Sequence, residues 1–272
     1  MKAVTKKLLF LPVLLVTTTA HANPRALPFT YTTDTLPAGQ AELEQTVDLV
    51  PLRADNIASG ERAWYLASAF QTELEIGLCD RLELALYFTL APTIANLTNT
   101  AQLPDTNGIK QRIRYIFAPQ GEWPVDVGVY GELTENDHEV EFEGKLLLQR
   151  RFDKLRVAAN LWAEYELEFD GDHIERDVVL HPTLGATYEL DPKLHLGVDS
   201  WMRGEYPQNP APAVRTFGLG PEYYVGPSVL MSFKKVWWTV AAYVRVSDVK
   251  HELQEGETYG PVWFRTMVGY DL

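Results

Sequence analysis

The sequence predicts an all-β protein: a single antiparallel transmembrane β-barrel of about 12 strands that follows a cleaved signal peptide. Three features lead to this prediction: a two-residue hydrophobic period, long strands, and connections that alternate between short and long. In the central hairpin, residues 139–152 and 155–169, apolar and polar side chains alternate, and the parity changes at Asp153-Lys154. Such alternation is typical of β-strands. Strands this long, with one nearly apolar face, fit a bilayer better than a soluble all-β domain.

The N-terminus has the pattern of a secretory signal peptide. Basic residues precede the apolar run 8–16, and the small-x-small site Ala20-His21-Ala22 follows. The run is too short to span the hydrocarbon core as an anchor helix, so we predict cleavage before Asn23. The expected organisation is signal peptide 1–22, a Pro-rich and patternless lead-in 23–39, and a barrel over 40–272.

Composition excludes several classes of protein. The formal net charge is -13, and the loss of three lysines with the signal peptide changes it to -16, which argues against nucleic-acid binding. The mature part has no apolar run of about 18 residues, so no membrane-spanning helix is expected. The single cysteine, Cys79, excludes an internal disulfide, and we interpret it as an incidental turn thiol.

Twelve stretches of alternation define the predicted strands, an even number as in bacterial barrels. They cover residues 41–51, 63–77, 82–91, 109–117, 125–134, 139–152, 155–169, 178–190, 194–203, 214–233, 236–248 and 261–272. In the tenth strand, Pro221 and Pro227 are expected to cause a bulge or a break. Aromatic residues near strand ends on the apolar face are typical of interfacial girdles; they are Trp64, Phe117, Phe152, Phe169, Tyr188, Phe217 and Tyr270.

The last strand indicates how the chain reaches its membrane. One face carries Leu272, Tyr270, Val268, Phe264 and Val262. This pattern resembles the C-terminal signature that the outer-membrane assembly machinery reads, although that signature usually ends in Phe. We therefore expect the barrel assembly machinery and outer-membrane lipids as partners, and the bacterial outer membrane as the location.

The hairpin from Thr72 to Leu84 carries a family resemblance. Its core at residues 75–83, Glu-x-Gly-Leu-x-Asp-Arg-Leu-Glu, resembles a hairpin of a Gram-negative outer-membrane barrel family labelled for the meta-pathway of phenol degradation. Members of that family often have Thr at the position of Cys79, and many are uncharacterised or transporter-like. The resemblance covers little of the chain. It implies uptake of small organic molecules at most, and it brings no catalytic residues.

Antiparallel pairing brings charged side chains together on the predicted lumen wall. If Phe152 pairs with Leu155, then three glutamates of one strand face three of the next: Glu143 faces Glu164, Glu141 faces Glu166, and Glu139 faces Glu168. The adjoining turns predict further pairs: Glu132 with Glu141, Asp177 with Glu168, and Lys110 with Glu132. The resulting lumen acidic cluster comprises Glu132, Glu139, Glu141, Glu143, Glu164, Glu166, Glu168 and Asp177. The lumen basic strip comprises Lys110, Arg112, Arg114, Arg151 and Arg156.

Three interpretations of these charges are open. The first is a solvated polar wall, or a salt-bridged network that fills a closed lumen. The second is a cation-attracting vestibule over a basic strip, whose field would orient a polar or zwitterionic solute. The third is a divalent-cation site, since oxygen ligands suit calcium. Oxygen clusters alone fix no coordination geometry, so we predict no metal site and no cofactor.

The leading functional hypothesis is a channel or transporter for small polar or organic solutes. The alternative is a closed structural or surface-interaction barrel that works through its outer loops. A rim hydrolase is a third hypothesis, because Asp170-Gly171-Asp172-His173 and Asp137-His138 fall in predicted rim loops. The chain shows no nucleophile–base arrangement such as His-x-Ser, so we do not expect an enzyme.

Overall fold

The computed structural model describes residues 23–55, 59–91, 105–170, 173–207, 221–248 and 259–272. The predicted signal peptide, residues 1–22, lies outside them. In these ranges the regular structure consists of thirteen strand segments, and no helix there has the length and apolar character needed to cross a membrane.

Every strand segment lies antiparallel to its sheet neighbours. Their bounds are β1 Ala41–Asp55, β2 Arg62–Cys79, β3 Leu82–Ala91, β4 Asp105–Ile116, β5 Asp126–Glu135, β6 Glu139–Phe152, β7 Leu155–Asp170, β8 His173–Leu180, β9 Thr183–Asp191, β10 Leu194–Pro207, β11 Glu222–Ser232, β12 Val236–Arg245 and β13 Val262–Asp271. The last strand, β13, pairs with β1, so the sheet closes into a barrel. One end of the barrel carries tight turns such as Asp153-Lys154, and we call it the short-turn end; the other is the long-loop end.

The segments β8 and β9 are two halves of one barrel strand. Both pair with β7 on one side and with β10 on the other. The prediction of a continuous strand over 178–190 was wrong at His181-Pro182, because Pro182 has no N–H for a ladder bond. Hydrogen bonds from His181 N to Trp162 O (2.9 Å) and from Met202 N to Pro182 O (3.1 Å) hold the edges together there. With these halves counted as one strand, the barrel has the predicted twelve.

Of the predicted strand over 214–233, the structure describes only the part from residue 221 onward. β11 begins at Glu222, and residues 208–220 lie outside the described ranges. Pro227 does not break the strand, contrary to expectation, because the pairing with β10 continues through Pro227 and Val198. The pairing with β12 is recorded at Val225 and again from Ser228, as expected beside a residue without a backbone donor.

The barrel carries its apolar face outside and its polar face inside. Leu161 is 60% exposed on the outer surface, whereas Glu42 and Asp199 are fully buried on the lumen side. This inversion of a soluble protein's distribution suits a sheet that meets lipid. The predicted girdle aromatics that the structure describes are exposed on the outer face, namely Trp64, Phe117, Phe152, Phe169, Tyr188 and Tyr270. Phe217 lies outside the described residues.

We call residues 23–40, which precede β1, the inner segment; residues 23–36 lie inside the barrel, and residues 37–39 are exposed at its end. Leu27 and Leu36 of this segment are each 1% exposed. Its C-terminal end joins the sheet through hydrogen bonds from Gly39 N to Gly77 O (2.8 Å) and from Gly77 N to Gln40 O (2.9 Å). The predicted lead-in is therefore the filling of the lumen. It is also not patternless, since buried side chains recur at odd positions from Asn23 to Thr33.

Candidate functional site

The inner segment follows the lumen wall around the barrel before the chain enters β1. Side chains of many strands bond its backbone: Glu42 of β1, Glu83 of β3, Gln149 of β6, Asn160 of β7, Asp199 of β10, Ser228 of β11, Thr239 of β12 and Arg265 of β13. Carboxylates and amide oxygens accept from its N–H groups, while hydroxyls and the guanidinium donate to its carbonyls. Because a buried backbone group needs a partner, these side chains replace the ladder that a neighbouring strand would supply.

Asp199 makes the densest of these contacts. Its Oδ2 accepts from Phe29 N at 2.8 Å and from the Tyr243 hydroxyl at 3.1 Å, and its Oδ1 accepts from the Thr30 hydroxyl at 2.6 Å. Two glycines of the wall, Gly185 and Gly197, make room next to this point. A Cβ atom at Gly185 would approach the Leu27 methyl carbons to 2.7 and 2.8 Å, so the wall is shaped to the inner segment.

Asp34 anchors the inner segment near the short-turn end of the barrel. It is paired with Arg156 of β7 and accepts a hydrogen bond from Gln120. Burial by itself would raise the pKa of Asp34, but the Arg156 guanidinium, together with hydrogen bonds from Gln120 and Thr32, lowers this pKa below the ordinary aspartate value. The predicted basic residue Arg156 thus holds the inner segment.

An aromatic cluster surrounds Phe29, the central apolar residue of the inner segment. The Phe29 ring stacks on Trp201 with centroids 4.6 Å apart and meets Tyr243 and Trp263 edge-on at 5.2 and 5.8 Å. The Arg265 guanidinium carbon lies 3.8 Å from the Phe29 ring centroid, a cation–π geometry. The inner segment is therefore fixed by packing as well as by hydrogen bonds.

A buried ion network lies on β2, β3 and β4. Arg112 contacts Glu73 and Glu75 at 2.7 Å each and Glu83 at 2.5 Å, and Arg114 contacts Glu83 at 2.6 Å. These side chains are at most 2% exposed. Sequence reasoning identified the two arginines but missed their carboxylate partners. The alternation of the two strands could have identified these partners. It places Glu75 and Glu83 on the lumen face, one on each side of the tight turn that contains Cys79.

The predicted register of the central hairpin is confirmed. The pairs Glu139–Glu168, Glu141–Glu166 and Glu143–Glu164 face each other across β6 and β7. The adjoining registers are wrong by two residues: Glu132 faces Glu143, Asp177 faces Glu166, and Lys110 faces Thr134. A two-residue shift keeps every side chain on its face, so the alternating pattern cannot detect it; only the length of the turn can.

The lumen acidic cluster is interleaved with cations. Lys110 Nζ reaches Glu132 diagonally at 3.0 Å, Lys145 Nζ contacts Glu143 at 2.5 Å, and Arg203 lies 3.8 Å from Glu166. His181 Nε2 lies 3.4 Å from Glu164. Two triplets of carboxylates have oxygens within 4.8 Å of one another, Glu132–Glu141–Glu143 and Glu139–Glu141–Glu166. Since Lys110, Lys145 and Arg203 already engage these triplets, we assign no metal to them.

The lumen basic strip does not form a continuous surface. Lys110 belongs to the acidic cluster, Arg112 and Arg114 belong to the buried ion network, and Arg156 binds the inner segment. Arg151 is half-exposed at the short-turn end, where it pairs with Glu189 at 2.8 Å. The five residues of the predicted strip therefore have different partners at different depths of the barrel.

The inner segment separates two lumen cavities. One, of about 260 Å³, faces the long-loop end and is bordered by Phe29, Tyr31 and much of the acidic cluster. The other, of about 420 Å³, faces the short-turn end and is bordered by Asp34, Thr35 and Arg156. The residues recorded as lining the first cavity do not recur in the second. Side chains of the inner segment therefore line both cavities, Phe29 and Tyr31 the first and Asp34 and Thr35 the second.

The rim residues considered for hydrolysis show no catalytic arrangement within the described chain. His138 Nε2 lies 3.2 Å from Asp137 Oδ2, but both side chains are largely exposed in a turn. Residues 171 and 172, and the side chains of Asp170 and His173, lie outside the described part.

A closed twelve-stranded barrel with an apolar outside is the fold of outer-membrane barrel proteins. The chain belongs to DUF6662, a family of unknown function, whose model matches residues 19–260. Among curated proteins, none matches the sequence.

Solved outer-membrane proteins share this fold. The COG4313 outer membrane channel from Pseudomonas putida F1 aligns with a TM-score of 0.66 and 11% identity, over 88% of this chain and 98% of that one. The translocator domain of the autotransporter NalP from Neisseria meningitidis gives 0.54 and 13%, over 88% and 90%. The NanC porin gives 0.52 and 12%, over 85% and 100%. Channels and porins are therefore among the proteins that share its architecture.

Proposed function

We propose that this protein is a channel of the bacterial outer membrane for small polar or organic solutes, and that the inner segment closes its lumen. The observation that carries the proposal is the pair of cavities on opposite sides of the inner segment. Outer-membrane lipids surround the barrel, and the β13 strand with its C-terminal Leu272 is the element that the assembly machinery reads.

The inner segment is the part of the lumen filling that can move without opening the sheet. From Asn23 to Leu36 its backbone is held by wall side chains, and each such bond contributes roughly 0.5–1.5 kcal/mol net. The barrel strands, in contrast, are joined to one another by backbone hydrogen-bond ladders, and the sheet closes on itself. A displacement of a few residues of the inner segment breaks only a few side-chain bonds and connects the two cavities.

The side chains that line the cavity at the long-loop end support small polar or organic molecules as the solutes. Glu141, Glu164 and Glu166 line it together with Phe29, Trp162 and Tyr259. A cavity lined by both charged and aromatic side chains suits small molecules that have both polar and apolar groups. The resemblance of the 75–83 hairpin to barrels labelled for phenol degradation adds small organic compounds to this class.

The test is bilayer conductance of the refolded mature protein, with the reversal potential measured in a salt gradient. We expect rare, cation-preferring openings, and a shift toward anions when Glu141 and Glu166 are both changed to Gln. The matched control is Glu122→Gln, which removes an exposed carboxylate from a turn outside the lumen. Unchanged selectivity in the double variant would remove the acidic cluster from the conduction path.

A closed structural barrel is the second candidate, and the buried ion network favours it. Arg112 and its three carboxylate partners are at most 1% exposed, so they offer no solvated surface to a passing solute. This candidate predicts that variants with a loosened inner segment remain silent in bilayers, whereas the channel proposal predicts that they conduct more often.

A further inference from the structure

Glu42 is a buried carboxylate beside the first residue of the predicted mature chain. It is fully buried, and its Oε2 accepts a hydrogen bond from Asn23 N at 3.1 Å. Its Oε1 accepts from Trp237 Nε1 at 3.0 Å. Gly269 makes room for this indole, because a Cβ atom there would overlap the Trp237 ring. The wall is thus shaped to bring two donors to one carboxylate.

Glu42 has no cationic partner in the described chain. No Lys, Arg or His side chain of those residues forms a salt bridge with it, and the nearest arginine of the inner segment, Arg25, contacts Glu44 instead at 3.2 Å. Burial of a carboxylate without a compensating charge is costly. The nearby carboxylates Glu44 and Glu75 increase that cost through like-charge repulsion. The site therefore lacks a positive charge at the position where Asn23 N lies.

We propose that removal of the signal peptide creates this charge: the α-ammonium of Asn23 binds Glu42 and locks the free end of the inner segment. Hydrolysis of the Ala22–Asn23 bond consumes one water, leaves a carboxylate on the released peptide, and leaves an amine on Asn23 that takes up a proton. The single N–H donor of a peptide bond becomes a cation with three donors. A charge-assisted bond to Glu42 is roughly twice as strong as a neutral one.

The lock completes the attachment of the inner segment. Its C-terminal end is already tied to the sheet through Gly39 and Gly77, and the ammonium ties its N-terminal end to β1. Asn23 lines the cavity at the short-turn end, and the contact with Glu42 keeps its ammonium protonated, a form that does not attack an acylating reagent. The inference rests on the predicted cleavage site and is independent of whether the lumen conducts.

The test is the reactivity of the α-amine toward an amine-specific acylating reagent at neutral pH, read by mass spectrometry of the N-terminal peptide. The refolded chain that begins at Asn23 is compared with itself in denaturant and with its Glu42→Gln variant. We expect acylation of the folded chain to be roughly 10- to 100-fold slower than that of the denatured chain, and the variant to lose about tenfold of this protection. The matched control is Glu122→Gln.

Two further measurements keep the inference testable if Glu42→Gln fails to fold. A chain that retains Ala22 moves its ammonium by one residue, about 3.5 Å, and is expected to react nearly as fast as the denatured protein. The protein purified from outer membranes is expected to begin at Asn23. Three results would each contradict the proposed contact between the Asn23 ammonium and Glu42. They are equal reactivity of the folded and denatured chains, equal protection in Glu42→Gln, and a first residue other than Asn23.

Discussion

The side chain of Asn160 forms both hydrogen bonds with the backbone of Tyr31 that a neighbouring strand would form. Asn160 Nδ2 donates to Tyr31 O at 2.9 Å, and Asn160 Oδ1 accepts from Tyr31 N at 2.7 Å. The Thr183 hydroxyl donates to the same Oδ1 at 3.1 Å and helps to orient the amide. One side chain of β7 therefore holds the middle of the inner segment without adding a strand to the barrel.

Asn160→Asp is expected to loosen the inner segment. A carboxylate cannot donate to Tyr31 O, so one bond is lost and two oxygens face each other, at a cost of about 1–3 kcal/mol. Trypsin cleavage after Arg25, which is buried in the lumen, is expected to become at least roughly tenfold faster. Asn136→Asp is the control, because Asn136 lies in a turn and donates to Glu139 rather than to the inner segment. An unchanged cleavage rate would mean that Asn160 does not hold the segment.

Gly185→Ala is expected to displace Leu27 from the wall. The added methyl would lie within 3 Å of both Leu27 methyl carbons, so either the wall or the inner segment must move. The side-chain hydrogen bonds that hold the inner segment are fewer than the backbone bonds between strands, so we expect the segment to move rather than the wall. Trypsin cleavage after Arg25 should then be faster, and channel openings should be more frequent. Gly144→Ala is the matched control, since a Cβ atom there meets nothing within 4 Å. Equal behaviour of the two variants would contradict the prediction.

Arg112→Met is expected to destabilise the barrel strongly. It leaves Glu73, Glu75 and Glu83 buried without their shared cation, and the loss of one partner of a buried ion pair costs about 3–5 kcal/mol. Arg151→Met removes a half-exposed pair with Glu189, which contributes about 0–1 kcal/mol. Urea unfolding followed by the gel mobility of unheated samples measures the difference. Similar midpoints for both variants would exclude a structural role for the network.

The Asp34–Arg156 contact predicts release of the inner segment in acid. Since the pKa of Asp34 is lowered in the folded barrel, its stabilising effect is fully present above the ordinary aspartate pKa of about 3.9. The effect is lost as the pH falls through the lowered value. We expect the frequency of channel opening to stay constant from about pH 7 to 5 and to rise below about pH 4. In Asp34→Asn, openings should already be frequent at neutral pH, and an identical acid response in both proteins would argue against this anchor.

Much of the barrel was predictable from the sequence because the face on which a side chain lies depends only on whether its position in the strand is odd or even. Alternation assigns each side chain to the lipid or the lumen, and a two-residue turn fixes the β6–β7 register. Longer turns leave the register open in steps of two, which is why Glu132 and Asp177 were assigned wrong partners. The break at His181-Pro182 was missed because the alternation around it is regular. Only Pro182, which lacks a backbone N–H, indicated that the strand is interrupted there.

The inner segment was not predictable in the same way, because its partners lie far away in the sequence. Phe29 and Asp199 are 170 residues apart, and neither strand periodicity nor turn length connects them. The alternation of Arg25, Leu27, Phe29 and Tyr31 was an available signal for an extended segment with one buried face. Its location inside the barrel follows only once the lumen is seen to supply matching donors and acceptors.

The contacts of the inner segment depend on the circumference of the barrel. The β1–β13 seam closes the sheet at twelve strands, and at that size side chains from strands on every side reach the backbone of the segment. A barrel with more or fewer strands would place some of these side chains out of reach and leave buried N–H and carbonyl groups without partners. The polar filling and the strand number are therefore matched to each other.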